Sequence, residues 1–139
     1  MNEKILIVED DPGALRLVQY TLEHEGYQVL TATNGLVGLK KAQSEEPDLI
    51  ILDVMLPGMD GFEICHRLRD EPQTAGLPIL MLSAKAQEAD KTTGIKVGAD
   101  DYLPKPADPA EIILRVGRLL AQKAAAGSKE MAQPIIGDK

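Results

Sequence analysis

The middle of the chain reads Leu49-Ile50-Ile51-Leu52-Asp53-Val54-Met55-Leu56-Pro57-Gly58-Met59-Asp60-Gly61. A strand with one face in water alternates apolar and polar residues, whereas the four aliphatic residues at its start indicate a strand buried on both faces. The proline and the two glycines after it predict turns. We therefore expect a central strand of a sheet that is covered by helices on both sides.

Four more strand-like runs surround the central one. They are Ile5-Leu6-Ile7-Val8, Gln28-Val29-Leu30-Thr31-Ala32, Ile79-Leu80-Met81-Leu82 and Asp101-Tyr102-Leu103. The segments between them repeat apolar residues with helical spacing, and several begin at residues that favour helix N-caps, namely Asp11, Asn34, Asp60 and Asp108. The pattern predicts an α/β fold, (βα)5, in which a doubly wound, five-stranded parallel sheet forms a single domain.

Two stretches depart from this regular pattern. Residues 87–97 include Thr92, Thr93 and Gly94, which are poor helix formers, so we expect a short, weakly held helix that is a candidate moving part. After about Ala121 the composition becomes polar. We assign residues 1–121 to the domain and residues 122–139 to a polar linker or disordered tail.

The bulk composition excludes several classes of function. The net charge of −7 argues against a nucleic-acid-binding surface, which needs clustered lysine and arginine. The single cysteine, Cys65, rules out an internal disulfide and favours a reducing compartment. The apolar run near the N-terminus is too short for a signal-peptide core or a membrane span. We expect a cytoplasmic protein without a membrane partner.

Polar residues collect where the predicted strands end. In an open α/β sheet, ligands bind beyond the carboxyl ends of the strands. These positions hold Glu9, Asp10 and Asp11 after the first strand, then Asp53, Ser83 and Lys105 after later ones. Clustered carboxylates repel one another unless a cation holds them, and oxygen ligands favour Mg2+ or Mn2+ over zinc. His24, His66 and Cys65 fall on predicted helices, away from this edge.

The same residue types suit phosphoryl chemistry. A carboxylate such as Asp53 can attack phosphorus beside a bound cation and form an aspartyl phosphate. Lys105 could balance the charge of the phosphoryl oxygens, and the Ser83 hydroxyl could donate a hydrogen bond to one of them. Neighbouring residues are predicted to have structural roles only. Asp11, which precedes Pro12, is predicted to cap a helix, and Gly58 and Gly61 are predicted to be turn residues.

Five pieces of sequence together resemble the receiver domains of two-component response regulators over roughly residues 3–121. They are Glu9-Asp10, the stretch from Asp53 to Gly61, Ser83-Ala84, Gly98-Ala99-Asp100-Asp101-Tyr102 and Lys105-Pro106. The resemblance implies a flavodoxin-like fold. It also implies a signalling switch that takes a phosphoryl group from a sensor histidine kinase or a histidine phosphotransfer protein. Such a domain is no enzyme toward other substrates and catalyses only its own phosphoryl transfer and autodephosphorylation.

The resemblance also implies a role for each site residue. Asp53 would be the phosphoacceptor and Lys105 the residue that pairs with the phosphoryl group. Asp10 and Asp53 would bind Mg2+ directly, Glu9 mainly through water, and Met55 through its backbone carbonyl. Ser83 and Tyr102 would be the switch residues, and the Lys105-Pro106 peptide bond would be cis.

The face formed by residues 87–97, the fifth strand and the last helix would control a partner or effector domain. In receivers joined to winged-helix DNA-binding domains, charges on this face pair across a dimer. Lys91 with Glu111 and Asp101 with Arg115 would fit such pairs. Lys96 and Gly117 occupy the places of a third pair, and Ala107 stands where that subgroup usually has phenylalanine. A solvated charged surface on a monomer is the alternative.

Three other functions stay open on the residues alone. A pseudo-receiver that works only by docking would not need the full acidic set. A small-molecule phosphatase with an aspartyl nucleophile would typically carry a second acid two residues after Asp53, where this chain has Met55. A nucleotide- or flavin-binding domain would be expected to have a glycine-rich first loop, which is absent. The sequence also fits both a stand-alone receiver and part of a longer regulator.

Overall fold

A computed structural model describes residues 2–83, 93 and 95–137, with side chains through residue 126. Five parallel strands form one sheet with the order β2-β1-β3-β4-β5. The strands are β1 (Lys4–Val8), β2 (Gln28–Ala32), β3 (Leu49–Asp53), β4 (Ile79–Ser83) and β5 (Asp101–Pro104). The predicted flavodoxin-like, doubly wound α/β fold is confirmed.

The burial of the strands follows their place in the sheet. All five residues of β3 and all five of β4 are buried, as the unbroken apolar runs predict. The edge strand β2 begins with an exposed residue and is otherwise mostly half-buried. In the register, Val8 lies opposite Leu52 and Asp53 lies opposite Leu82. The carboxyl ends of the three central strands therefore meet at one edge.

Four helices are described, namely α1 (Pro12–His24), α2 (Gly35–Ser44), α3 (Gly61–Asp70) and α4 (Pro109–Gly137). The predicted N-caps at Asp11, Asn34 and Asp60 are confirmed. Asp11 accepts a hydrogen bond from the Ala14 amide at 2.9 Å, and the caps at Asn34 and Asp60 make the corresponding bonds to α2 and α3. Each cap satisfies an amide that the helix itself leaves without a partner.

Apolar side chains fill two cores, one on each face of the sheet. Leu6 and Val8 of β1 face the core under α2 and α3, whereas Ile5 and Ile7 face the core under α1 and α4. Alternate residues of one strand thus serve opposite faces, because successive side chains in a strand point in opposite directions. Two-sided burial explains why the strands are apolar throughout.

The last helix is longer than the sequence pattern predicts. We expected a linker-like segment after about Ala121, but α4 continues as a helix to Gly137. The run Lys123-Ala124-Ala125-Ala126 has high helix propensity, and Gly127 after it costs only about 1 kcal/mol relative to alanine. The domain boundary at residue 121 stays a prediction.

Residues 84–92 and 94 lie outside the described part of the chain. This gap includes Lys91 and most of the predicted weak helix at 87–97. No helix in the part that the structure describes is long and apolar enough to cross a membrane.

Candidate functional site

Three carboxylates meet at the carboxyl edge of the sheet. Glu9 and Asp10 follow β1 directly, and Asp53 is the last residue of the neighbouring strand β3. Each offers an oxygen that lies within 4.8 Å of those of the other two. Glu9 and Asp53 are buried, whereas Asp10 is exposed. Because β1 and β3 pair in parallel, the fold itself brings these acids together.

Glu9 is held in place by several hydrogen bonds. Its backbone N–H donates to the Ala32 carbonyl at 3.0 Å. One carboxylate oxygen, Oε2, accepts from the Asp11 amide at 3.0 Å, and the other, Oε1, lies 2.5 Å from Nζ of Lys105. A buried carboxylate needs such partners, since burial without them costs several kcal/mol of free energy, on the order of 3–5. The side chain of Glu9 therefore has a fixed position at the edge of the site.

Lys105 bridges two of the carboxylates. Its Nζ also lies 3.2 Å from Oδ2 of Asp53, and the lysine side chain is only 19% exposed. Burial by itself would lower the pKa of Lys105. The hydrogen bond to Glu9 and the charge of Asp53 together outweigh burial and raise its pKa above the ordinary value. Lys105 is thus an ammonium ion directed at the acids.

The backbone around Lys105 places its side chain at the site. The Lys105-Pro106 bond is cis, which confirms the expectation from the family resemblance. The Lys105 amide donates to the Ser83 carbonyl at 2.6 Å, just beyond the last pair of β4 and β5. Ser83 is the buried final residue of β4, so its position is also at this edge.

The loop after Asp53 folds back onto the end of β3. The Val54 amide donates to the Leu82 carbonyl at 2.9 Å, and the Gly61 amide donates to the Val54 carbonyl at 2.8 Å. A Cβ at Gly61 would collide with the carbonyl oxygen of Asp53. Gly58, at φ +85°, is a turn glycine as predicted. The prediction for Gly61 is wrong: it opens α3 without a positive φ and is small because the backbone of Asp53 lies against it.

A cavity of about 530 Å³ opens beside Asp10, lined by residues of the β3–α3 loop that include Met55, Leu56 and Pro57. Met55 is 69% exposed, so it lies at the surface of this loop. Tyr102 lies in β5 opposite Met81, with only 7% of its surface exposed. It is part of the core and not of the acidic cluster.

The donor set fits a hard divalent cation. Three carboxylates supply oxygen ligands of the kind Mg2+ and Mn2+ prefer. Among the described residues no second group of three acids, histidines or cysteines comes together in this way. Cys65 is fully buried on α3, where its thiol donates to the Val97 carbonyl, and His24 stacks on Tyr20 along α1. Soft ligands are therefore remote from the cluster, as predicted.

Three of the four predicted dimer-face residues lie together within one chain. A terminal nitrogen of Arg115 lies 2.6 Å from Oδ1 of Asp101, and its Nε lies 3.1 Å from Oε1 of Glu111. The contact with Asp101 is the main cause that raises the pKa of Arg115. The fourth residue, Lys91, lies outside the described residues. Asp101 and Arg115, which would fit a pair across subunits in the dimer alternative, pair here within the chain.

The fold and the site define a class of protein, and comparison with known families identifies it. The family model of the response regulator receiver domain matches residues 5–117. The chain belongs to this family.

Curated relatives are transcriptional regulators. The alkaline phosphatase synthesis transcriptional regulatory protein PhoP of Bacillus subtilis (strain 168) is 50% identical over 145 residues, covering 99% of this chain and 60% of that protein. The DNA-binding dual master transcriptional regulator RpaA of Synechocystis is 50% identical over 117 residues, covering 84% of this chain and 48% of that protein. The chain spans only about half the length of such relatives.

Solved structures with the same fold are receiver domains. The chemotaxis response regulator CheY4 of Vibrio cholerae matches with a TM-score of 0.81 at 37% identity, covering 86% of this chain and 99% of that one. The receiver domain of the sensor histidine kinase PA1611 from Pseudomonas aeruginosa matches with a TM-score of 0.81 at 29% identity, covering 87% and 99%. The latter structure holds a magnesium ion in its active-site cleft.

Proposed function

We propose that this chain is a phosphorylation-dependent switch that accepts a phosphoryl group on Asp53. One observation carries the proposal: the buried carboxylate of Asp53 lies 3.2 Å from the ammonium of Lys105 and beside the carboxylates of Glu9 and Asp10. An acceptor needs this combination of a nucleophilic carboxylate and fixed positive charge. Membership of the receiver family supports the same assignment.

The phosphoryl donor is proposed to be a phosphohistidine of a sensor histidine kinase or histidine phosphotransfer protein. A carboxylate oxygen of Asp53 attacks phosphorus and forms the new P–O bond. The P–N bond to the donor breaks, and its electron pair returns to the imidazole ring of the donor. Lys105 neutralises charge on the phosphoryl oxygens, and the Ser83 hydroxyl donates a hydrogen bond to one of them.

Asp10 and Asp53 would hold a Mg2+ ion directly, with Glu9 acting mainly through water and Met55 through its backbone carbonyl. Mn2+ would fit the same donors. When bound, the cation supplies positive charge for the incoming phosphoryl oxygens. The hard-oxygen donor set supports this proposal, as does the magnesium ion in the related receiver of Pseudomonas aeruginosa.

The output is proposed to be a binding event on the face that includes β5 and α4. Ser83 and Tyr102 would respond to the phosphoryl group, and the altered face would control a partner or effector domain. The chain would work in the cytoplasm without contacting nucleic acid itself. We propose no activity toward other substrates beyond the chain's own phosphoryl transfer and autodephosphorylation.

We also propose that phosphorylation favours a homodimer through this face. Arg115 would exchange its contact with Asp101 of its own chain for the same residue of a second copy, and Lys91 would pair with Glu111. Sedimentation with and without beryllofluoride, a phosphoryl mimic, tests this. We expect a dimer only with the mimic, and only when Arg115 is intact. A monomer in both conditions at high concentration rejects the dimer but not the switch.

Intact-mass measurement after incubation with Mg2+ and acetyl phosphate tests the acceptor assignment. We expect one added phosphoryl group in the parent protein and none in Asp53→Asn. Asp70→Asn is the matched control, because Asp70 is an exposed acid at the far end of α3, and it should behave like the parent. A parent that gains no phosphoryl group would instead favour a docking module without phosphoryl chemistry.

A further inference from the structure

Arg69, in the last turn of α3, donates hydrogen bonds to parts of the chain that are distant in sequence. Its Nε donates to the Gly98 carbonyl at 2.9 Å. One terminal nitrogen donates to the carbonyls of Leu77 at 2.7 Å and Ala75 at 3.1 Å, and the other donates to Oδ2 of Asp100 at 2.8 Å. A single guanidinium group therefore joins α3, the loop before β4 and the turn before β5.

Asp100 links this cluster to the pairing of the two strands. Oδ2 of Asp100 also accepts from the Ile79 amide at 2.8 Å, and the Asp100 amide donates to the Ile79 carbonyl at 2.9 Å. Ile79 is the first residue of β4, and the residue after Asp100 opens β5 opposite Leu80. Asp100 is therefore bonded twice to the first residue of β4, directly before β5 begins to pair with that strand.

The turn also packs directly on the arginine side chain. Gly98 has φ +109°, which favours glycine, and a Cβ there would lie 2.7 Å from Cγ of Arg69. Hydrogen bonds and close packing therefore both hold the turn before β5 against the side chain of Arg69.

The N-terminal end of α3 is bonded to the segment after β3, the strand that ends in Asp53. The Gly61 amide donates to the Val54 carbonyl, and Gly61 lies against the carbonyl oxygen of Asp53. The helix thus runs from the end of β3 to the turn that leads into β5. That strand contains Tyr102 and continues into Lys105.

We propose that Arg69 is a positioning residue for the phosphoryl site. By holding residues 98–100 on α3, it sets the position of β5, and thereby of Lys105, relative to Asp53. The inference rests on the proposed function, because it assigns Arg69 an effect on phosphoryl transfer. A lysine cannot replace it, because the contacts to three carbonyls and a carboxylate use the planar fork of the guanidinium group.

Arg67 provides a matched control on the same helix. Its Nε lies 2.9 Å from Glu63, but both side chains are about half exposed, at 53% and 48%. Such surface pairs contribute little to stability or position. Substitutions at Arg67 therefore repeat the chemical change made at Arg69 without disturbing the turn before β5.

The test compares Arg69→Lys, Arg69→Met and Asp100→Asn with Arg67→Lys and Arg67→Met in the full chain. Rates of phosphorylation are measured at saturating Mg2+ and acetyl phosphate, at a temperature where urea titration shows each variant folded. Because small misplacements of catalytic groups are costly, we expect the Arg69 and Asp100 variants to react about 5- to 10-fold more slowly. The Arg67 variants should keep the parental rate. Mg2+ affinity should be unchanged throughout, since the three acids lie at the ends of β1 and β3.

The outcomes separate the two proposals. Folded Arg69 variants that react at the parental rate overturn this inference and leave Arg69 with a structural role only. If Arg69→Met does not fold, Asp100→Asn tests the inference instead. This variant keeps an oxygen for the Ile79 amide but removes the negative charge that Arg69 contacts. A parental phosphorylation rate in Asp100→Asn also overturns the inference. A parent protein that takes no phosphoryl group overturns the proposed function and this inference with it.

Discussion

Nζ of Lys105 lies 2.5 Å from Oε1 of Glu9, closer than the 3.2 Å that separates it from Oδ2 of Asp53. The ammonium is therefore the internal counter-ion of the acidic cluster, and Glu9 is its nearer partner. Since both acids are buried, removing the lysine would leave carboxylate charge without its partner in a poorly solvated place.

We expect Lys105→Met to lower the free energy of unfolding by about 1–3 kcal/mol at pH 7 without divalent cations. Urea unfolding in the presence of a chelator measures this. Added Mg2+ should restore more stability to the variant than to the parent, because the cation then supplies the missing positive charge. Lys40→Met, at an exposed position on α2, is the control. Equal effects of the two substitutions would contradict the counter-ion role of Lys105.

The stability that Lys105 contributes should disappear at high pH. Its pKa is raised in the folded protein, so its contribution is fully present below the unfolded-state value of about 10.4 and is lost as the pH rises through the folded-state pKa. We expect the difference in unfolding free energy between the parent and Lys105→Met to be constant from neutral pH to about pH 10 and to shrink above it. A difference that stays constant beyond this range would argue against the raised pKa.

Two adjacent acids should respond differently to neutralisation. Asp10 offers an oxygen to the acidic cluster, whereas the side chain of Asp11 caps α1. If Asp10 binds Mg2+ directly as proposed, we expect Asp10→Asn to weaken Mg2+ binding by about tenfold or more, since a charged oxygen ligand is removed. Asp11→Asn should bind nearly as well as the parent and keep its stability, because asparagine is also a good N-cap. Calorimetric titration with Mg2+ measures both, and equal losses would place Asp11 in the metal site as well.

Two glycine substitutions should change stability in opposite directions. A Cβ at Gly61 would collide with the backbone of Asp53, whereas nothing lies within 4 Å of a Cβ at Gly117. We expect Gly61→Ala to destabilise the protein by about 1–3 kcal/mol and to slow the proposed phosphorylation of Asp53, because the end of β3 must shift. Gly117→Ala, inside α4, should stabilise by about 0.5–1 kcal/mol through its helix propensity. Urea unfolding tests both, and a neutral Gly61→Ala would show that the loop relaxes freely.

The local pattern of the sequence was sufficient for the architecture. Strands apolar on both faces, helices with capping residues and short connections predict a doubly wound parallel sheet, because two-sided burial and crossover geometry leave few other arrangements. The meeting of Glu9, Asp10, Asp53, Ser83 and Lys105 at one edge followed from the same rule, since parallel strands end at a common edge. The length of α4 was not predicted, because Gly127, Ser128 and Pro134 in a polar segment are typical of a linker, whereas α4 continues to Gly137.

Tertiary structure alone decided which groups touch. Nothing local in the sequence shows that Glu9 lies nearer to Lys105 than Asp53 does, since these distances depend on how β1, β3 and the loop after β5 pack. A glycine is needed at position 61 because the Asp53 backbone lies against it, and not because the chain makes a turn there. Arg67 and Arg69 look alike in sequence, yet Arg67 lies on the surface and Arg69 binds three carbonyls and an acid. Helical spacing places a side chain on a face, but only packing determines what lies opposite it.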